Sequence, residues 1–249
     1  MREIHSAPAA LFVKGRLPDK IRLPIAVIGS RRCSDYGRKA AEMISGQLAE
    51  CGACIVSGMA YGIDKVAAIA ALERSKTEIP TIAVLGSGVD VVYPEENRKL
   101  YDEICDKGAV VSEFLPGTVP DSKHFPRRNR IISGISRGVV VAEAAIKSGT
   151  RITADFALEQ GRDVFAIPVR APSGADDGYG QPYLIRQAAF YEKRRRRRMY
   201  LPQKRRVVLI LKQHDGYVLV MEILEAPVDV AFLCLRLHER EHASVRSRF

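Results

Sequence analysis

The sequence predicts an α/β protein: an extended Rossmann-like, doubly wound and mostly parallel sheet, with a small C-terminal appendage. Three observations lead there. From residue 25 onward, short β-branched runs alternate with helical stretches in a βαβ rhythm. The runs are apolar throughout rather than alternating, as strands covered on both faces must be. Most of them end at Gly or Ser, the residues of tight strand-to-helix turns.

Taken in order, IAVIG at 25–29 predicts the first strand of this rhythm, followed by a helix over 36–50. ACIVSG (53–58) is the next strand, with a helix over 62–74 behind it. TIAVLG (81–86), a helix near 95–107 and AVVSE (109–113) continue the pattern. The stretch HFPRRNRIISGIS (124–136) sets Arg127, Arg128, Asn129 and Arg130 beside an apolar, helix-compatible run. Its isoleucines seat a helix on the flank of the sheet, while Lys123 and some of the arginines face a strand-end groove. Which arginine meets a ligand, and which pairs with Glu113 or Glu143, is left open by the sequence. GVVVAEA (138–144) and DVFAIP (163–168) are the last strands, with a helix over 153–161 between them.

Residues 1–24 read as an extended lead-in in which Pro8, Pro18 and Pro24 break any helix. Residues 25–190 form the Rossmann-like domain, closing through a Gly-, Pro- and Asp-rich loop at 171–183. Residues 191–249 are a basic, divergent segment whose apolar stretches suggest a small helical appendage.

The net charge is +10, unevenly placed. Residues 191–249 hold 14 Lys and Arg against 7 Asp and Glu, including the unbroken run Arg194–Arg198. A polyanion partner fits that balance, although such a run is also what a solvated tail carries. No apolar run reaches the roughly 18 residues of a membrane span, and the N-terminus lacks the core of a secretory signal. The cytoplasm is therefore the expected compartment.

The five cysteines are scattered, as suits a reducing environment. Cys51 and Cys54 have redox-dithiol spacing but sit between a helix end and a strand, where two small residues flanking a turn are the better reading. No His or Cys cluster completes a metal site. No metal and no cofactor are expected.

Ligands of open α/β sheets bind beyond the carboxyl ends of the strands. Gly29-Ser30-Arg31, Ser57-Gly58 and Gly86-Ser87-Gly88 all fall there. Each alone is a tight turn. Together, with Arg31 supplying a forked donor, they point to anion binding. Ser148-Gly149-Thr150 repeats the pattern at a fourth strand end, with Ser148 alternatively capping the next helix. The sequence holds neither a dinucleotide fingerprint nor a P-loop. Asp64, Glu113 and Glu143 lie near element ends without a readable nucleophile–base pair, so no catalytic residue is assigned.

The segments IAVIGSR, SGMAYGID, TIAVLGSGVDVVYPEEN, GAVVSEF, FPRRNRIISGIS, VVVAEA and DVFAIP resemble, in the same order, the DNA-processing DprA (Smf) family. The resemblance covers roughly residues 8–190 and implies a protein that is not an enzyme. It implies a homodimer that binds single-stranded DNA without sequence preference and helps load the RecA recombinase in natural transformation and recombination. By this resemblance Gly29, Ser30, Arg31, Ser57, Gly58, Lys123, Phe125, Arg127, Arg128, Asn129, Arg130, Ser148, Gly149 and Thr150 line its DNA pocket. Phe125 offers a base either a stacking face or, as a packing anchor, no face at all. The chain departs from the family pattern at Ala68, where a His is usual, and at Arg151, Val169, Pro182 and Ala188. The resemblance takes in no counterpart of the N-terminal helical domain of many members, and residues 191–249 do not clearly match a winged helix.

Two rivals stand beside this reading. One is a nucleoside monophosphate phosphoribohydrolase of the lysine-decarboxylase-like (LOG) type, whose glycine-rich signature is missing and of which Glu143 is the faint echo. The other is a paralogue that folds without the function.

Overall fold

The computed structural model describes residues 4, 6–145, 148–167, 207–212 and 218–221, the last two stretches as backbone. The chain divides into two compact units, Met1–Val164 and Phe165–Phe249.

The first unit opens with β1 (Phe12–Gly15), which pairs antiparallel with β5 (Ala109–Ser112). The expected lead-in thus contains a short strand. It lies at the end of the sheet, where an exposed pattern broken by prolines is tolerated. β2 (Pro24–Gly29), β3 (Cys54–Ser57), β4 (Thr81–Val84) and β6 (Gly138–Glu143) follow. The strand order is β1-β5-β4-β3-β2-β6, with β7 (Asp163–Ala166) next. The pairings of β2 with β6, β2 with β3, β3 with β4 and β4 with β5 are parallel, as the continuous apolar runs predicted.

The helices are α1 (Asp35–Glu50), α2 (Ile63–Arg74), α3 (Arg98–Lys107), α4 (His124–Ile135) and α5 (Thr150–Glu159). A single 3-10 turn at Glu95–Asn97 precedes α3. The chain winds outward from β2 to β5 and then returns to place β6 on the other side of β2. With right-handed crossovers, that reversal puts α1, α2 and α3 on one face and α4 and α5 on the other. The Rossmann-like, doubly wound architecture is thereby realised. Its topological switch point lies between β2 and β6, where the register slips between Ile28 and Gly29 and Gly29 comes opposite Glu143.

The core follows from the sequence pattern. Ile25, Ala26, Val27, Ile55, Val56, Ile82, Val110 and Val139 are at most 2% exposed, as strands buried on both faces require. Ile131 and Ile132 of α4 are equally buried, each worth about 1.5–3 kcal/mol of apolar transfer. Ala68 of α2 packs among Met59, Leu72, Leu85 and Tyr101, so this position is filled by close apolar packing. Cys51 caps the end of α1, and Cys54 opens β3 and is buried; neither is in a disulfide, in keeping with the turn reading.

In the second unit, β8 (Val207–Lys212) and β9 (Val218–Met221) pair antiparallel, with Leu209 opposite Met221 and Lys212 opposite Val218. The helical appendage expected there is corrected by this hairpin. A short apolar run such as VVLILK has no periodicity that separates strand from helix, and its β-branched residues favour the strand. Pro168–Val169, Pro182, Ala188, the 171–183 loop and Arg194–Arg198 lie outside the described residues. Among the described residues, no helix is long and apolar enough to cross a membrane.

Candidate functional site

α4 reaches the carboxyl ends of β3 and β4 and binds them through its own side chains. Arg128, 4% exposed, donates from Nη1 to the Gly58 carbonyl at 2.9 Å and to the Val84 carbonyl. A Cβ on Gly58 would come 2.2 Å from Nη1, so the glycine leaves room for the guanidinium in this position. The Gly58 N–H in turn donates to Asp64 Oδ2 at 2.9 Å, and Ser57 Oγ donates to the Asp64 carbonyl at 3.4 Å. Asp64 is buried, and burial pushes its carboxyl above the usual range, opposed by the Arg128 charge, by backbone N–H groups and by Arg31. Burial likewise lowers Arg128 to about 10, with Asp64 opposing the shift and Arg31 adding to it. Two guanidinium groups therefore bear on one buried carboxylate, leaving the strand ends electropositive.

Above this layer lies Phe125, half-buried. Its ring stacks on Tyr93 at 5.4 Å between centroids with 29° between planes. The Arg31 guanidinium sits 5.3 Å from the same ring, within cation–π range. A Cβ on Gly86 would come 2.8 Å from the Phe125 ring, so the glycine after β4 lets the ring settle onto the strand end. Phe125 is thus both anchored and partly open. Tyr93 is 41% exposed, and Arg31 and Lys123 are exposed.

The arginines of α4 divide by environment. Arg130, 9% exposed, pairs with Glu113 at 2.7 Å. Arg127 is 3.4 Å from the same carboxylate but keeps 64% of its side chain exposed. Asn129 is buried and donates to the Gly149 carbonyl at 3.4 Å, tying α4 to the turn before α5. The sequence expectation set all of these side chains in one pocket. The fold brings them to one region but turns Arg128 and Arg130 inward, where Arg128 Nη1 meets the Gly58 and Val84 carbonyls and Arg130 meets Glu113, while Arg128 Nε, itself buried, has no hydrogen-bond partner among the described residues.

At the switch point, Ser30 accepts the Arg32 N–H and donates to the Arg32 carbonyl, and its own N–H donates to Glu143 O at 2.8 Å. A Cβ on Gly29 would clash with Ile63 and with the Glu143 carbonyl, so this turn also needs glycine. Glu143 accepts from Ser34 N at 3.0 Å and from Ser34 Oγ, at the N-terminus of α1, where a carboxylate is favoured by the helix dipole. Ser148 does not cap α5. Gly149 occupies the cap position, and among the described residues Ser148 Oγ has no hydrogen-bond partner. Thr150, the first residue of α5, is buried.

Gly86-Ser87-Gly88 has become structural. Ser87 donates to the Val91 carbonyl and accepts from Ser112, and Gly88 N–H donates to Thr118 O. Tyr93, Asp64 and His124 belong to the site's framework, yet the sequence reading left them out of the pocket. An aromatic next to Pro94 and a Gly-Ile-Asp turn after a strand were the available signals.

The family model for DNA recombination-mediator protein A matches residues 1–196. The chain belongs to that family. Among curated relatives, the DNA processing protein DprA of Streptococcus pneumoniae is 49% identical over 190 residues, covering 76% of this chain and 65% of its own. Protein Smf of Escherichia coli is 45% identical over 183 residues, covering 73% of this chain and 48% of its own. The chain therefore spans about two thirds or less of the length of these relatives. The solved S. pneumoniae DprA structure aligns at a TM-score of 0.65 with 48% identity, over 75% of this chain and 64% of that one. DNA processing protein A from Helicobacter pylori, solved for its single-stranded DNA binding mode, aligns at 0.65 with 26% identity, over 78% and 91%. The segments quoted from the sequence as DprA-like thus correspond to a family relationship that sequence and fold both show.

Proposed function

We propose that this protein is a DNA-processing, recombination-mediating member of its family that binds single-stranded DNA without sequence preference. The observation that carries the reading is the strand-end site: Phe125 with Tyr93 stacked on its ring and the Arg31 guanidinium 5.3 Å from its centroid, on the helix whose buried Arg128 bears electrostatically on Asp64. A single strand needs cations for its phosphates and an aromatic face for its bases, and a sequence-tolerant site needs nothing more. Arg31, Lys123 and Arg127 are the exposed cations that meet phosphates. Gly29, Ser30, Ser148, Gly149 and Thr150 bring backbone groups to the groove at the switch point and before α5. Ser57, Gly58, Arg128, Asn129 and Arg130 shape it from beneath.

The family relationship supports four further elements of the proposal. The protein acts as a homodimer in the cytoplasm, it hands its strand to a RecA-type recombinase, and it is not an enzyme. Glu143, the residue through which hydrolysis of nucleoside monophosphates was considered, accepts hydrogen bonds from Ser34 at the start of α1, a structural role that argues against that chemistry. Competition between a mixed-sequence oligonucleotide and its duplex, followed by fluorescence anisotropy, tests the reading. Preferential displacement by the single strand is expected. Equal displacement by the duplex, or release of free base from nucleoside monophosphates, would overturn it.

A further inference from the structure

The N-terminus of α4 carries a second aromatic cluster, on the side of His124. The His124 ring stacks on Phe114 at 4.1 Å between centroids with 26° between planes, and its Nδ1 lies 3.2 Å from the Gly86 carbonyl. The Arg127 guanidinium sits 5.7 Å from the Phe114 ring. Phe114 begins a loop that is closely braced. Its N–H donates to Ser112 Oγ at 3.0 Å, Gly117 N–H donates to both Asp90 carboxylate oxygens at 2.8 and 3.1 Å, and Thr118 N–H donates to Leu115 O at 3.1 Å. This ordered loop nonetheless turns Leu115 and Val119 outward, 68% and 70% exposed, the highest values among the large hydrophobic residues described. A tied loop that presents aliphatic side chains beside a stacked ring pair is shaped for a partner.

We propose that Phe114, His124 and Arg127 form a second nucleobase subsite, taking another base of the same single strand that engages Phe125, with Leu115 and Val119 as its apolar rim. The inference rests on the single-strand reading above. A base fits better than a protein surface because exposed Lys123 and Arg127 border the cluster and supply phosphate contacts. The carboxylates nearby are already engaged: Glu113 by Arg130 and Arg127, Asp121 by the Lys123 N–H, and Asp90 by Gly117. The cluster is also continuous with the first site, since His124 and Phe125 are consecutive and both rest on Gly86. Base–aromatic stacking is indifferent to sequence, so a second subsite lengthens the bound strand without adding base preference.

The chain contains no Trp, so single-Trp variants report locally. F125W marks the first site, F114W the second, and L115W, at an exposed position, marks the rim without depending on packing. Saturating oligothymidylate should quench the emission of all three full-length variants, and Phe114→Ala should weaken binding roughly five- to a hundredfold, the range for one lost stack. Quenching of F125W with F114W and L115W unchanged would overturn the second subsite and leave the first standing. Absence of DNA binding in every variant and in the parent would overturn both. A change in oligomeric mass of L115W by light scattering, with no response to DNA, would assign the rim to a second copy of the chain and overturn the proposal.

Discussion

Arg128 Nη1 donates to the Gly58 carbonyl at 2.9 Å, and the absent Cβ of Gly58 is the space its guanidinium fills. This contact joins α4 to the end of β3 and sets the floor of the strand-end groove. The arginine is buried, and its charge and that of buried Asp64 oppose each other's desolvation.

Removing one member of that pair should be costly. Arg128→Ala leaves Asp64 and two backbone carbonyls without their cation, and is expected to destabilise the fold by about 3–5 kcal/mol. The double variant Arg128→Met with Asp64→Leu should lose less than the sum of the single losses, because neither charge is then stranded. Urea unfolding followed by circular dichroism reads both, and additive losses would show that the two groups are not coupled.

Glu113 separates stability from binding. Its side chain is 6% exposed, with Arg130 donating to both oxygens and Arg127 near Oε1. Glu113→Gln should destabilise the protein by about 3 kcal/mol by leaving Arg130 buried and unpaired. The same change releases Arg127, so affinity for a single strand should hold or rise. Arg127→Ala should do the reverse: little effect on melting, since the exposed partner of an ion pair contributes under about 1 kcal/mol, and weaker binding. Thermal melting and anisotropy on the same preparations check the crossing pattern.

The aromatic layer predicts graded losses. Phe125→Ala should cost about 1–3 kcal/mol of affinity for mixed-sequence oligonucleotides, the range of one base stack. Tyr93→Leu removes the ring that fixes Phe125 and should cost less. Both losses should be nearly the same for polythymidine and polyadenosine strands; a loss confined to one base would mean sequence readout instead.

Cys54 gives a pH and labelling prediction. Burial pushes its thiol from 9.0 up to about 12, so the fold favours the protonated form. The stability this contributes is complete below pH 9.0 and declines as pH rises toward about 12, by about 1.4 kcal/mol per unit in that window. At neutral pH, a thiol reagent should modify half-buried Cys33, Cys51 and Cys105 while Cys54 stays protected until the chain unfolds. Mass spectrometry after brief labelling reads the order.

The parallel core strands and helices were legible because their apolar runs, such as Ile25–Ile28 and Ile82–Val84, report burial on both faces directly. β1 was not, since FVKG at a sheet end is short and mostly exposed. In the candidate site, the sequence located the strand-end turns and the basic segment, because glycine placement and charge are written in the residues themselves. It did not separate Arg127 from Arg128 and Arg130, because that division depends on Gly58, Val84 and Glu113, partners 14 to 70 residues away. Tyr93 escaped notice for the same reason: its stacking partner is Phe125, on a different element.

The salt dependence of single-strand affinity tests the central claim most directly. Anisotropy titrations of a mixed-sequence oligonucleotide over a range of salt concentrations give the slope of log K against log salt, about 0.7 per phosphate neutralised on a single strand. The doubly substituted Arg31→Ala, Lys123→Ala protein should bind more weakly and show a slope shallower by about 1.4. An affinity and slope equal to those of the parent would place the strand elsewhere on the molecule and contradict the account.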